Sequence, residues 1–195
     1  MSPVGFVLAG GGSVRMGRDK ALVPWGGTDL LGHALARLGA VTSDVRILAG
    51  GERRYTDRGV PIVVDRAPGS GPLAGVLAGL EAAAGRAGLF LAVDLPFVPV
   101  PLLSWLIGLA DGFDAVVPVS PRGPEPLCAI YGPACLAPIR ARAARGDLRM
   151  TGFWPDVRRR ELLPDELAAF GDPSQLFRNL NTPADLEAAA GVSGP

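Results

Sequence analysis

An α/β fold built on a mostly parallel sheet, covered on both faces, is predicted by three features of the chain. Short runs that are apolar on both faces alternate with segments of helical periodicity. The first of these runs leads directly into a glycine-rich loop. Aspartates stand at the ends of two later runs, and sheets of this kind hold their ligands outside the carboxyl ends of the strands.

The chain has 195 residues, enough for one domain that buries roughly 70% of its unfolded surface. Its 27 glycines and 19 prolines approach a low-complexity composition, but 48% of residues are hydrophobic and the apolar runs are regularly spaced. The excess therefore belongs to loops. Formal net charge is zero, so no global positive field is available to hold nucleic acid or an anionic membrane. Arg158-Arg159-Arg160 is the one dense basic run and reads as a solvated strand or loop surface, the alternative being a contact with a phosphorylated second substrate. Cys128 and Cys135 form no CxxC pair and His33 is the only histidine, so neither zinc nor a disulfide framework is indicated. Both thiols are expected to be reduced in the core. The opening residues lack the features of a signal peptide, and the most apolar stretch, 88–113, is broken by Asp94 and three prolines. A cytoplasmic protein is expected.

Residues 4–9 form the first predicted strand. The loop after it reads Leu8-Ala9-Gly10-Gly11-Gly12-Ser13-Val14-Arg15-Met16-Gly17-Arg18-Asp19-Lys20-Ala21-Leu22. Consecutive glycines let backbone N–H groups converge on an anion, and Arg15 and Lys20 add two cations. A nucleotide phosphate is the implied ligand. A Walker loop is excluded because Arg18-Asp19 follows Gly17, and the dinucleotide fingerprint is excluded because Arg15 stands where its third glycine is required.

Thr28 is placed to cap a helix with apolar positions Leu30, Leu31, Ala34, Leu35 and Leu38, which Gly39 ends. His33 lies beside that stripe and reads as packing or surface. Strands are predicted over 45–49, 61–64 and 89–93, and Pro72 fits the first turn of a helix running to about Ala84. Asp65 and Asp94 follow the third and fourth strands. Asp65 either caps the ensuing turn or faces the ligand. Asp94, poorly solvated at the end of an apolar strand, needs a partner such as Mg²⁺ bridging to phosphates, or else caps the helix expected over 100–110. Strands over 115–119 and 127–131 flank a proline-rich turn at 121–126, with a helix over 133–144 beyond. Thr182-Pro183 reads as an ordinary helix start, and 191–195 as a frayed tail.

The first loop resembles the signature of the nucleotidyltransferases, most closely that of the molybdenum cofactor guanylyltransferases, whose loop reads Leu-Ala-Gly-Gly-x-Ser-x-Arg-Met-Gly-x-Asp-Lys. The resemblance runs from Val7 to about Leu186. It continues through Asp65 with Gly71-Pro72-Leu73-Ala74-Gly75, through Asp94 with Pro96, through Pro126 before an apolar strand, and through Asn179-Leu180-Asn181-Thr182-Pro183. It also implies a short helix near 148–153.

This resemblance implies a Rossmann-like three-layer nucleotidyltransferase fold. A single domain would span 1–190, with the part up to about 97 nucleotide-binding and the remainder acceptor-binding. The implied reaction transfers GMP from GTP to the terminal phosphate of molybdopterin-type molybdenum cofactor and releases pyrophosphate, with Mg²⁺ as cofactor. Leu8, Ala9, Gly10, Gly11, Gly12, Lys20, Asp65, Gly75 and Asp94 would hold the nucleotide. Arg15, Lys20 and Asp94 would be catalytic, Asp94 also binding the metal. Asn179 and Asn181 would serve acceptor or metal. Proteins that deliver the cofactor and molybdoenzymes that receive it are the implied partners. The Leu-Ala-Gly-Gly and Pro-Leu-Ala-Gly strings favour GTP, while Leu48 stands where guanylyltransferases can carry an asparagine after the second strand. The alternatives are a nucleotidyltransferase using CTP or another phosphorylated acceptor, and a non-catalytic nucleotide-binding module.

Overall fold

The computed structural model describes residues 1–10, 19–65, 71–180 and 185. Its sheet has the order β10-β7-β9-β6-β1-β4-β5, with β8 paired to β7. The strands are β1 (Val4–Leu8), β4 (Val45–Leu48), β5 (Ile62–Val63), β6 (Gly88–Ala92), β7 (Ala115–Ser120), β8 (Gly123–Pro124), β9 (Cys128–Tyr131) and β10 (Arg159–Leu162). A small antiparallel hairpin, β2 (Pro24–Trp25) and β3 (Thr28–Asp29), stands apart from it. β1 pairs in parallel with both β4 and β6, β4 with β5, and β10 with β7. β9 runs antiparallel between β6 and β7, so along the main path one strand is reversed and the rest point the same way. This is the mostly parallel, Rossmann-like sheet that the sequence predicts.

Alternation along the strands explains the three layers. Val7, Leu89, Leu91, Cys128 and Ile130 face one side and pack with Leu30, Leu31 and Leu38 of α1 (Leu30–Gly39) and Leu102, Leu103 and Leu106 of α3 (Val100–Leu109). Phe6, Phe90, Ala129 and Tyr131 face the other side and pack with Leu73, Val76 and Leu80 of α2 (Pro72–Ala82) and Ile139 of α4 (Leu136–Ala144). Period two in the strands and period near four in the helices thus meet in two cores. On the second face Phe6 stacks on Phe90 at 5.0 Å, and α2 approaches the pair through Gly79, where a Cβ would lie 2.6 Å from Phe90 Cε1.

Several boundaries differ from expectation, each for a local reason. The cap of α1 is Asp29, whose Oδ1 accepts from Gly32 N at 2.7 Å, one residue later than Thr28, with which it shares β3. α2 stops at Ala82 rather than near Ala84, which has a positive φ of 52°. The helix expected over 133–144 opens as a 3₁₀ turn at Pro133–Cys135 before α4. Residues 148–149 are irregular and 150–153 form turns rather than a short helix, and a 3₁₀ turn follows at Trp154–Asp156. Leu48 is the last residue of β4, not a residue beyond it, and is buried beneath α2. Short helices α5 (Pro164–Leu167) and α6 (Pro173–Leu176) complete the described chain, in which no helix is long and apolar enough to cross a membrane.

The basic run is tied into the far edge of the sheet. Arg159 lies over Trp154 at 4.3 Å and pairs with Glu161 at 2.8 Å, Arg160 pairs with Glu166, and Arg158 N donates to Asp114 Oδ2 at 2.8 Å. Cys128 and Cys135 are buried free thiols; burial pushes the Cys135 thiol up to about 12, which keeps it protonated and inert.

Adding a methyl group at Gly79 forces either Phe90 or α2 to shift. Gly79→Ala is expected to cost about 1–3 kcal/mol in urea unfolding, and Phe90→Leu in the same chain to recover part of that loss by making room. At the amino ends of the strands, Asp44 pairs with Arg46 at 2.9 Å and with Arg86, and its carboxyl is held down to about 2, chiefly by the hydrogen bond from Arg46. A lowered carboxyl pKa stabilises the fold above the unfolded value of about 3.9 and ceases to do so as pH falls through the folded value. Unfolding free energy should therefore decline between about pH 4 and 2, and Asp44→Asn should flatten that decline.

Candidate active site

Parallel pairing brings the carboxyl ends of β1, β4, β5 and β6 to one edge, where the chain leaves β1, β5 and β6 through the predicted site segments. Ala9 N donates to Leu48 O at 2.9 Å, Val93 N donates to Leu8 O at 3.1 Å, and Asp65 N donates to Gly50 O at 2.7 Å. The strand-end segments carrying Leu8, Ala9, Gly10, Asp65 and Asp94 are thus joined backbone to backbone. Gly10 and Gly50 cross so closely that a Cβ at Gly10 would meet Gly50 N at 2.4 Å. Only glycine fits there. Gly75, in the first turn of α2, lies over the end of β1, with its Cβ position 3.2 Å from Leu8 Cδ2.

Lys20 opens a 3₁₀ turn, Lys20–Leu22, and its Nζ donates to Asp94 Oδ2 at 2.8 Å. The two side chains are only 14% and 26% exposed, so the pair is partly withdrawn from water and the poorly solvated carboxylate has a cationic partner. Asp94 does not cap α3, whose N-cap is Pro99. Instead its backbone oxygen accepts from Leu180 N at 3.1 Å, which brings exposed Asn179 beside the same corner. Gly11, Gly12, Arg15 and Asn181 lie outside the described residues, as do Thr182, Pro183 and the tail at 191–195.

Two groups of residues support this corner without any motif to announce them. Asp19, just before Lys20, accepts from Ala21 N at 3.1 Å, Tyr55 Oη at 2.8 Å and Arg54 Nη1 at 3.1 Å. Arg54 also donates to Ala49 O at 3.3 Å, and Tyr55 Oη lies 3.4 Å from Ala9 O. This excursion between β4 and β5 ties together both ends of the glycine-rich segment. Tyr55 holds a left-handed φ of 64° to do so, and burial followed by the bond to Asp19 pushes its phenol well above the ordinary range. Beneath the Asp94 turn, Arg37 of α1 donates to His33 Nε2 at 2.7 Å and to Val98 O, while His33 Nε2 lies 3.0 Å from Pro96 O. Burial lowers the His33 pKa, so the neutral ring is available to accept from Arg37. His33 is a packing residue, as its sequence context indicates.

On the other side of Asp94, Glu125 N donates to Pro118 O at 2.8 Å and Ser120 Oγ donates to Glu125 Oε1 at 2.7 Å. Arg122 donates to Phe177 O at 2.5 Å, fastening the β7–β8 hairpin to the segment that carries Asn179. A cavity of about 540 Å³ lined by Pro3, Ala87, Asp114 and Gly132 opens at the opposite, amino ends of the strands, remote from all of these residues. Among the described residues no group of three His, Cys, Asp or Glu side chains converges in a manner that would hold a metal ion by protein ligands alone.

Comparison with known proteins agrees with this geometry. Residues 5–157 match the family model for the MobA-like NTP transferase domain. The molybdenum cofactor guanylyltransferase of Cereibacter sphaeroides is 39% identical over 193 residues, covering 95% of this chain and 94% of that protein. A probable molybdenum cofactor guanylyltransferase of Pelotomaculum thermopropionicum is 33% identical over 186 residues, covering 95% and 91%. The crystal structure of molybdopterin-guanine dinucleotide biosynthesis protein A from Archaeoglobus fulgidus superposes with a TM-score of 0.82 at 24% identity, covering 96% and 97% of the two chains. With the glycine-rich strand end, the Lys20–Asp94 pair and the one reversed strand in place, the chain belongs to the family of MobA-like NTP transferase domains.

Proposed function

We propose that this protein transfers GMP from GTP to the terminal phosphate of molybdopterin-type molybdenum cofactor, releasing pyrophosphate and forming the guanine dinucleotide cofactor. The observation that carries the reading is the Lys20–Asp94 pair at the carboxyl edge of β1 and β6, in a chain whose similar relatives are named for that guanylyl transfer. The part up to about residue 97 takes the nucleotide and the remainder the acceptor. The reaction belongs in the cytoplasm, with proteins that deliver molybdopterin and molybdoenzymes that receive the product as partners.

A phosphate oxygen of the acceptor attacks the α-phosphorus in line; the new O–P bond forms as the bond to the β-phosphate oxygen breaks, and pyrophosphate leaves with that electron pair. Backbone N–H groups of Gly10, Gly11 and Gly12 cradle the phosphates, with Leu8 and Ala9 shaping the entrance. Lys20 and Arg15 neutralise charge on the leaving group. Asp65 and Gly75 border the ribose and base. An acceptor phosphate is largely ionised near neutral pH, so these roles require no separate base.

The residues fit Mg²⁺ as a companion of the nucleotide rather than as a resident ion. One carboxylate, Asp94, is a sufficient protein ligand for a hard cation that keeps several waters and shares phosphate oxygens. When bound, Mg²⁺ would supply charge neutralisation at the α- and β-phosphates. Asn179 and Asn181 would complete the polar wall toward metal or acceptor. Lys20 and Asp94 neutralise each other as a pair; Asp94 would hold the cation and Lys20 would be the charge available to phosphate.

Thermal unfolding with GTP, CTP, ATP and UTP, each with and without Mg²⁺, tests the nucleotide, and pyrophosphate release with molybdopterin tests the reaction. GTP with Mg²⁺ at a hundredfold its dissociation constant should add about 2.7 kcal/mol, or roughly 5–10 °C. Asp94→Asn is expected to fold normally, to lose most of that shift and to turn over at least about a hundredfold more slowly. A CTP-specific shift would change the product, and an undiminished rate in Asp94→Asn would remove the assignment of that carboxylate.

A further inference from the structure

Glu125 occupies a position that the glycyl-loop chemistry does not use. β9 runs antiparallel to β6 with Leu91 opposite Cys128, and Ala92 N donates to Leu127 O at 2.8 Å beyond the last paired residues. The chain then turns, Cys128 N donating to Glu125 O at 3.0 Å, and Glu125 comes within reach of the charge of Asp94, which follows β6 at this level. On the other side of β6 the parallel register with β1, Leu8 opposite Ala92, carries Gly10 to the same level. Asp94 therefore lies between the phosphate-binding loop and Glu125. In-line displacement brings the nucleophile from the side opposite the leaving group, so the Glu125 side is the acceptor's side.

The residue is rigidly held. Its N–H donates to Pro118 O at 2.8 Å and its carbonyl accepts from Cys128 N at 3.0 Å, between Pro124 and Pro126. Ser120, 2% exposed, donates to Oε1 at 2.7 Å, and Oε1 alone is engaged among the described residues. Burial, and after it the nearby charge of Asp94, raise the carboxyl's pKa, whereas Ser120 and Arg122 pull it down. A half-buried carboxylate within reach of another negative charge is an expensive way to hold one serine, since glutamine would accept the same bond. A phosphate would be repelled by it. What a carboxylate does attract is a planar array of N–H donors, and the acceptor named by the proposed function carries one in its pterin ring.

We infer that Glu125 is an acceptor-binding residue whose carboxylate receives N–H donors of the pterin. The inference rests on the reading of the reaction given above for the identity of the acceptor. Guanine presents similar donors, so the test separates the two sources.

Glu125→Gln keeps the bond from Ser120 and removes the charge. It should leave the melting temperature and the affinity for GTP with Mg²⁺ unchanged. The KM for molybdopterin should rise about tenfold or more, as expected for losing a charged hydrogen bond, with a smaller change in kcat. Binding of 6-hydroxymethylpterin to the protein, followed by pterin fluorescence, should weaken by a similar factor, and guanosine should not compete for it. A loss of GTP affinity instead would assign the carboxylate to guanine. A raised Mg²⁺ requirement at unchanged molybdopterin KM would assign it to the cation. Either result, or unchanged molybdopterin and pterin binding, or absence of pterin binding by the wild type, overturns the inference. Glu125-dependent pterin binding in a protein that releases no pyrophosphate would preserve the subsite and refute the reaction.

Discussion

The parallel pairing of β1 between β4 and β6 is the constraint on which the rest of the molecule depends, because it makes several loops leave the sheet at one edge. Backbone bonds at that edge, from Ala9 to Leu48, Val93 to Leu8 and Asp65 to Gly50, leave little freedom in where the following residues begin. A site assembled this way derives its precision from the sheet rather than from the loops. The close crossing of Gly10 and Gly50 belongs to the same device: two chains meet where a side chain on Gly10 would separate them.

Two flanking arrangements turn that edge into a usable corner. On one side the excursion bearing Arg54 and Tyr55 binds Asp19 and so fixes the start of the turn from which Lys20 reaches Asp94. On the other, the reversed strand β9 returns the chain past Asp94, and Arg122 and Leu180 close the segment around Phe177 against it. Were β9 parallel to β6, its other end would adjoin Asp94, and Glu125 would lie at the far edge of the sheet. One inverted strand thus sets the direction in which the chain enters β9 beside the Asp94 turn, within one continuous sheet.

Much of this was legible in local chemistry. Apolar runs without alternation marked the strands because both faces of the sheet are covered, and the spacing of Leu30, Leu31, Ala34 and Leu38 marked α1 because one stripe of it is buried. The convergence of the segments after β1, β5 and β6 followed from the rule for strand ends, and Lys20 and Asp94 do meet. Boundaries were less legible: Thr28 and Asp29 are adjacent residues of good capping type, both in β3, and it is Asp29 that accepts from Gly32 N. Leu48, which stands where guanylyltransferases can carry an asparagine after the second strand, ends β4 itself, a placement that rests on one residue of register.

What the sequence by itself determined was most of the sheet strands and the larger helices, because periodicity needs only near neighbours; the β2–β3 hairpin, β8, β10 and the short helices α5 and α6 carry too little periodic pattern to be read from it. What only the tertiary structure decided was which distant residues share the corner. Arg54, Tyr55 and Glu125 carry no motif, and their roles arise from bonds to Asp19, Ala49 and Ser120 or from strand register. The direction of β9 set that register, and it depends on how the two hydrophobic faces of the sheet are jointly covered, an energy summed over the whole core that no local stretch of sequence contains.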